Sequence, residues 1–153
     1  MKKLSTQLSI LFEQIAMQEN TIEDIARLLA QAAVSEGTIY LAAFGEMKAV
    51  CTVALDGDEP LPAAREWQPE SYVTSADRVF ILAKKDEGDE LAGRLSDAAI
   101  PFAMLCTATK ESDLPDAMLS LGIDKGGLHA MAALYVYHNI KLIMDEMMDE
   151  AAY

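Results

Sequence analysis

Between Thr38 and Ala43 the chain runs through six residues, Thr-Ile-Tyr-Leu-Ala-Ala, that are apolar or β-favouring and do not alternate with polar ones. A run of that kind suits a strand buried on both faces, as in the interior of a parallel sheet. Gly37 opens it and Phe44-Gly45 closes it, and from Glu46 to Leu55 the residues favour helix. A strand that turns through glycine into a helix is where α/β folds place a ligand beside a helix N-terminus. Arg78–Ala83 and Ile100–Cys106 read as further strands of the buried type.

The other segments fit around these strands. Leu4, Leu8, Leu11, Phe12 and Ile15 recur at helical spacing and predict a helix from Lys3 to Met17. Asn20-Thr21 separates it from a second helix. There Thr21 and Asp24 resemble a capping box, and Ile22, Ile25, Ala26, Leu29, Ala32 and Ala33 form one apolar face up to Glu36. Gly37 is the expected stop of that helix. Asp56 to Pro60 is a polar turn, and Leu61–Arg65, flanked by prolines, is a short strand near a sheet edge. Residues 66–75 carry no clear pattern. A helix covers Asp89–Ala98, Ala117–Leu121 is a last strand, and Gly126-Gly127 releases a long helix from Leu128 to Met148.

The order ααβαββαββα predicts an α/β three-layer sandwich with a five-stranded parallel sheet and an N-terminal α-hairpin. With 153 residues this is one domain, residues 1–36 forming the hairpin and 37–153 the sheet core and closing helix. Val136, Ile140, Ile143 and Met147 form one seam of the last helix, and Met131, Tyr135, His138 and Leu142 lie opposite. Two seams predict packing on two sides, the second against a partner subunit.

A net charge of −13 sets a field that repels phosphate backbones, so nucleic acid is not an expected partner. Cys51 and Cys106 lie in apolar runs without CxxC spacing and read as buried thiols of a cytoplasmic protein. No apolar run reaches the roughly 18 residues of a membrane span, and no signal-peptide pattern opens the chain. The two histidines are nine apart and neither cysteine has a ligand spacing, so neither a metal nor another cofactor is expected.

Glu36-Gly37-Thr38-Ile39-Tyr40-Leu41 with its turn, Asp77–Ala83, and Val136-Tyr137-His138 in the closing helix carry a resemblance to the sugar isomerase (SIS) domain. The chain is most similar to bacterial phosphoheptose isomerases, and more narrowly to an uncharacterised family of short SIS-like proteins of Gram-positive bacteria. This resemblance covers nearly the whole chain. It implies a flavodoxin-like strand order, a sugar-phosphate ligand, aldose-ketose isomerisation, and a homodimer or homotetramer with sites at subunit interfaces. The implied ligand-binding residues, on the loops after the first, third and fourth strands, are Gly45, Glu46, Lys48, Lys84, Lys85, Thr107 and Thr109. For catalysis His138 is the implied histidine, and Asp56 (or Asp58) the implied carboxylate, because the isomerisation moves a proton between adjacent carbons.

Two departures from the family stand out. The first-strand turn Phe44-Gly45-Glu46-Met47-Lys48 has no serine, and the serine-rich phosphate loop is replaced by Ala83-Lys84-Lys85-Asp86-Glu87-Gly88. Four acids at 86, 87, 89 and 90 set negative charge against the helix end that would hold an anion. Each candidate also has a plainer reading. His138 is then an interface histidine and Lys84-Lys85 a solvated pair. The threonines cap a turn, Glu46 complements a helix dipole, and His129 only starts a helix. On those readings the chain is a non-catalytic SIS-fold module for binding, regulation or assembly.

Overall fold

A computed structural model describes residues 2–107, 113–122 and 127–151. The helices are α1 (Lys2–Ala16), α2 (Glu19–Val34), α3 (Lys48–Asp56), α4 (Asp89–Asp97) and α5 (His129–Ala151). The strands are β1 (Ile39–Ala43), β2 (Ala64–Glu66), β3 (Arg78–Leu82), β4 (Phe102–Cys106) and β5 (Ala117–Ser120). They form one sheet in the order β2-β1-β3-β4-β5, parallel at every pairing. This is the predicted five-stranded α/β architecture, with two helices ahead of the sheet.

The non-alternating strand runs are buried on both faces. Leu41, Phe80, Leu82, Ala103, Leu105 and Leu119 face the layer made by α2, α3 and α5. Val79, Ile81, Phe102, Met104 and Cys106 face the opposite layer, where Leu91, Ala92 and Leu95 of α4 meet Trp67 and Val73. Each large side chain buried here contributes on the order of 2 kcal/mol. The connection 67–77, most of it within the stretch 66–75 that carries no clear sequence pattern, thus has a structural job. It carries the chain from the edge strand β2 past β1 to β3 and covers the α4 face, in place of a crossover helix.

Two local expectations are corrected. Thr21 does not cap α2, which begins earlier at Glu19, with Gln18 at the N-cap and no side-chain cap bond. The early start follows from α1 and α2 being nearly continuous: Ile22 N–H donates to Gln18 O at 3.1 Å, which carries Thr21 into the helix. Nor does Gly37 supply the left-handed residue after α2. Glu36 does, at φ 63°, and the Gly37 N–H donates to Ala32 O at 2.8 Å. Glycine is required at 37 for space, because a Cβ there would collide with the Ala76 carbonyl oxygen.

Gln18, freed from capping, reaches across to the sheet. Its Nε2 donates to Ser120 O at 2.8 Å and its Oε1 accepts from Ser120 N–H at 3.3 Å. It pairs with the outer rim of β5 as another strand would. At the opposite end of the strands, the buried carboxylate of Asp77 ties β3 to β1. Its Oδ1 accepts from Thr38 N–H at 2.8 Å, and its Oδ2 from Thr74 N–H at 2.8 Å and Thr74 Oγ1 at 3.1 Å.

Candidate functional site

The chain leaves β1 for β2 in one direction and resumes at β3 in the other, so the sheet order reverses between β1 and β3. Loops diverge at such a point and leave a crevice at the C-terminal ends of the strands. Gly45, at φ 60°, folds the chain back after β1 into a short 3₁₀ turn, Gly45–Met47, anchored by the fully buried Met47. That turn places Glu46 at the C-terminal end of the sheet beside the reversal point. From the end of β3, Lys84 reaches across, its Nζ 2.7 Å from Glu46 Oε1. From the third side comes His129, the first residue of α5, whose Nδ1 lies 3.9 Å from the same oxygen.

His129 is one of two buried polar or charged residues among the described ones, at 8% exposure, and its Nδ1 has no hydrogen-bond partner. A buried polar atom left unpaired is costly, so one aimed at a carboxylate across a gap is a position for a bridging group. A ligand hydroxyl has the right chemistry, since it both donates and accepts. Sequence reasoning treated His129 as a helix start. The available signal was an imidazole two residues after Gly126-Gly127, ahead of the apolar first turns of the closing helix.

The loop after β3 is already occupied by an anion of the protein's own. Glu87 turns back so that Oε2 accepts from Lys84 N–H at 3.1 Å and Oε1 from Lys85 N–H at 2.9 Å. Successive backbone N–H groups converging on one carboxylate make an anion-binding nest. Burial pushes the Glu87 carboxyl up, but the backbone N–H groups of Lys84, Lys85 and Glu87 and the Lys84 charge outweigh it, and the group is held below its ordinary range.

Of the residues implied by resemblance, Gly45, Glu46, Lys84, Lys85 and Thr107 all lie at this C-terminal edge. Lys48 opens α3 and is exposed. Thr107 follows β4, its N–H donating to Lys84 O at 2.9 Å and its carbonyl accepting from Ser120 Oγ at 2.9 Å. Thr109 lies outside the described residues, as does Gly126. His138 and Asp56 lie elsewhere. Asp56 is exposed at the last residue of α3, eight positions past its start at this edge. His138, also exposed, is nine residues along α5 from His129.

Elsewhere a groove of about 330 Å³ brings His138 together with Asp58, Glu59 and Lys141, over Val53 and Tyr137. The Tyr137 hydroxyl beneath it is buried without a partner, and burial, then the nearby Asp145 charge, pushes it up to about 12. Asp58 lines this groove and Asp56 does not. Among the described residues no cluster of three or more His, Cys, Asp or Glu could hold a metal ion, and no helix is long and apolar enough to cross a membrane.

A family model described as a domain of unknown function, DUF2529, matches residues 1–148. The chain belongs to the DUF2529 family. This DUF2529 protein is 32% identical to the uncharacterised protein YwjG of Bacillus subtilis (strain 168), over 99% of both chains. Solved structures share its fold at low identity. A candidate phosphosugar isomerase of capsule formation from Bacteroides fragilis matches with a TM-score of 0.74 and 10% identity, over 97% of this chain and 92% of that one. A phosphoheptose isomerase from Neisseria gonorrhoeae matches at 0.68 and 12%, over 95% and 98%. The NanR protein of Vibrio vulnificus, solved with ManNAc-6P, matches at 0.52 and 18%, over 97% of this chain and 65% of its own. The fold of the DUF2529 protein is therefore that of the SIS-domain phosphosugar isomerases, as the resemblance implied.

Proposed function

We propose that this DUF2529 protein binds a sugar phosphate in the crevice between β1 and β3. The observation that carries the reading is the convergence of Lys84, Glu46 and the unpaired, buried His129 on one point at the sheet's reversal. A sugar hydroxyl bridges His129 Nδ1 and Glu46, while Gly45, Lys48 and Thr107 border the same edge. The nest of Lys84 and Lys85 N–H groups takes the phosphate once Glu87 has moved out, one anion replacing another. The sugar phosphates named for structural neighbours support the ligand class. The finer reading is a phosphoheptose-like aldose-ketose isomerase, in which His138 and Asp56, or the Asp58 that shares its groove, relay the proton in a homodimer or homotetramer. Two buried free thiols are in keeping with a cytoplasmic location.

Glu87 favours a second reading. A carboxylate standing in the nest, within an acidic loop, suits a non-catalytic module that has given up phosphate for assembly or regulation. Isothermal titration with fructose-, sedoheptulose- and glucosamine-phosphates separates the two. The first reading expects binding at millimolar concentration or tighter, weakened about tenfold by Lys84→Ala, and strengthened by Glu87→Ser. Absence of binding in both the native protein and Glu87→Ser overturns it. If a sugar phosphate binds, unchanged isomerisation in His138→Ala and Asp56→Ala removes those two residues from the chemistry.

A further inference from the structure

Helix α1 carries an apolar stripe that continues past what the fold covers. Leu11 and Ile15 are buried, and Phe12 stacks on Tyr135 of α5 with ring centroids 4.1 Å apart. One and two turns earlier the same stripe continues as Leu8, half-buried, and Leu4, 45% exposed. Lys2 and Lys3 flank it, and the first acidic residue of the helix is Glu13. In a chain of charge −13 this overhanging half-helix is a cationic, amphipathic segment whose stripe the fold leaves partly uncovered.

Beside the root of α1 lies a groove of the opposite character. It begins at Ala16 and Tyr135 and runs between the start of α2 and the end of α5, with about 570 Å³ of space. Its rim holds Glu19, Glu23, Glu146 and Glu150, over a floor of Ile22, Ile143 and Met147. Among the described residues none of these four carboxylates is in an ion pair. An apolar floor ringed by unpaired acids fits a basic amphipathic helix.

We propose that the protein dimerises by reciprocal exchange of these two features, the first two turns of α1 in each copy lying in the acidic groove of the other. The groove begins at Ala16, where α1 ends, so a two-fold axis beside that residue sends each overhang along the other copy's groove, as an isologous interface requires. Leu4 and Leu8 cover the floor, and Lys2 and Lys3 meet the glutamates at the rim. A purely charged contact between copies this acidic would be repulsive, so the local match of sign is what sets the register. The inference rests on the self-association in the preceding proposal and on no ligand, so titration of sugar phosphates and measurement of mass can fail independently.

Sedimentation velocity of the full chain tests it. The expected result is a dimer whose dissociation constant rises with salt, as screened rim charges demand. Lys2→Glu/Lys3→Glu, and separately Glu146→Lys/Glu150→Lys, each weaken it about tenfold or more, and combining the two sets restores the native affinity. These positions are exposed, so melting temperature is expected to hold and to report folding independently. A native chain that stays monomeric at about 100 μM, a dimer indifferent to both reversals, or a combined variant no tighter than either parent overturns the proposal.

Discussion

Glu87 shows how one side chain alters what a loop can do. Its carboxylate satisfies two backbone donors that would otherwise face solvent or a ligand, and those donors in turn hold it below the ordinary glutamate value of 4.5. Because the folded value lies below the unfolded one, its contribution to stability is complete above about pH 4.5 and is lost as pH falls through the folded value. Melting curves between about pH 3 and 7 are expected to show an acid-side loss that Glu87→Gln lacks; superimposable curves would mean the carboxylate adds nothing to the loop. Cys51 and Cys106 carry the opposite sign. Burial, with a smaller push from nearby carboxylates (Glu66 on the first, Asp89 and Glu87 on the second), raises both to about 11 from 9. Neither thiol should react with iodoacetamide at about pH 8 until the chain unfolds. Stability should decline between pH 9 and 11, and less steeply in the double alanine variant. Rapid labelling of the folded protein would contradict the burial assigned to them. Of these residues the cysteines were legible from their apolar neighbours. His129 and the turned-back Glu87 were not, because their roles arise where α5 meets the β1 turn and where a loop curls on itself.

The strands announced themselves because residues buried on both faces leave a run without alternation, and β1, β3 and β4 each fall inside such a run. Helix limits were less legible. Thr21-x-x-Asp24 has the composition of a cap, yet only two residues separate α1 from α2 and the true cap position falls on Gln18. The 67–77 connection was opaque for a different reason: it is held by scattered contacts and by one carboxylate, with no period of its own. That carboxylate, Asp77, accepts three hydrogen bonds that join the entry of β1 to the entry of β3. Asp77→Ala strands the Thr38 and Thr74 donors and is expected to cost about 2–4 kcal/mol in urea unfolding at neutral pH. A loss under about 1 kcal/mol would mean that water replaces the carboxylate and the tie is dispensable.

For the molecule as a whole, composition and charge narrowed the partners and the order of elements gave the layers, while the reversal point between β1 and β3 emerged only with the strand order. Where copies can touch is governed by the sheet's two rims. On one side β2 spans only Ala64–Glu66, with Pro62 just ahead of it and exposed Arg65 and Glu66 along it, features that discourage pairing. On the other, Gln18 holds both the donor and the acceptor of Ser120. Gln18→Ala is expected to leave the fold intact while raising light scattering on prolonged incubation at 37 °C; an unchanged scattering trace would show the rim to be protected by other means. The amide of Gln18 thus acts as a terminator. It covers the outer rim of the molecule's own fifth strand at Ser120, where a strand of a second copy would otherwise find a donor and an acceptor.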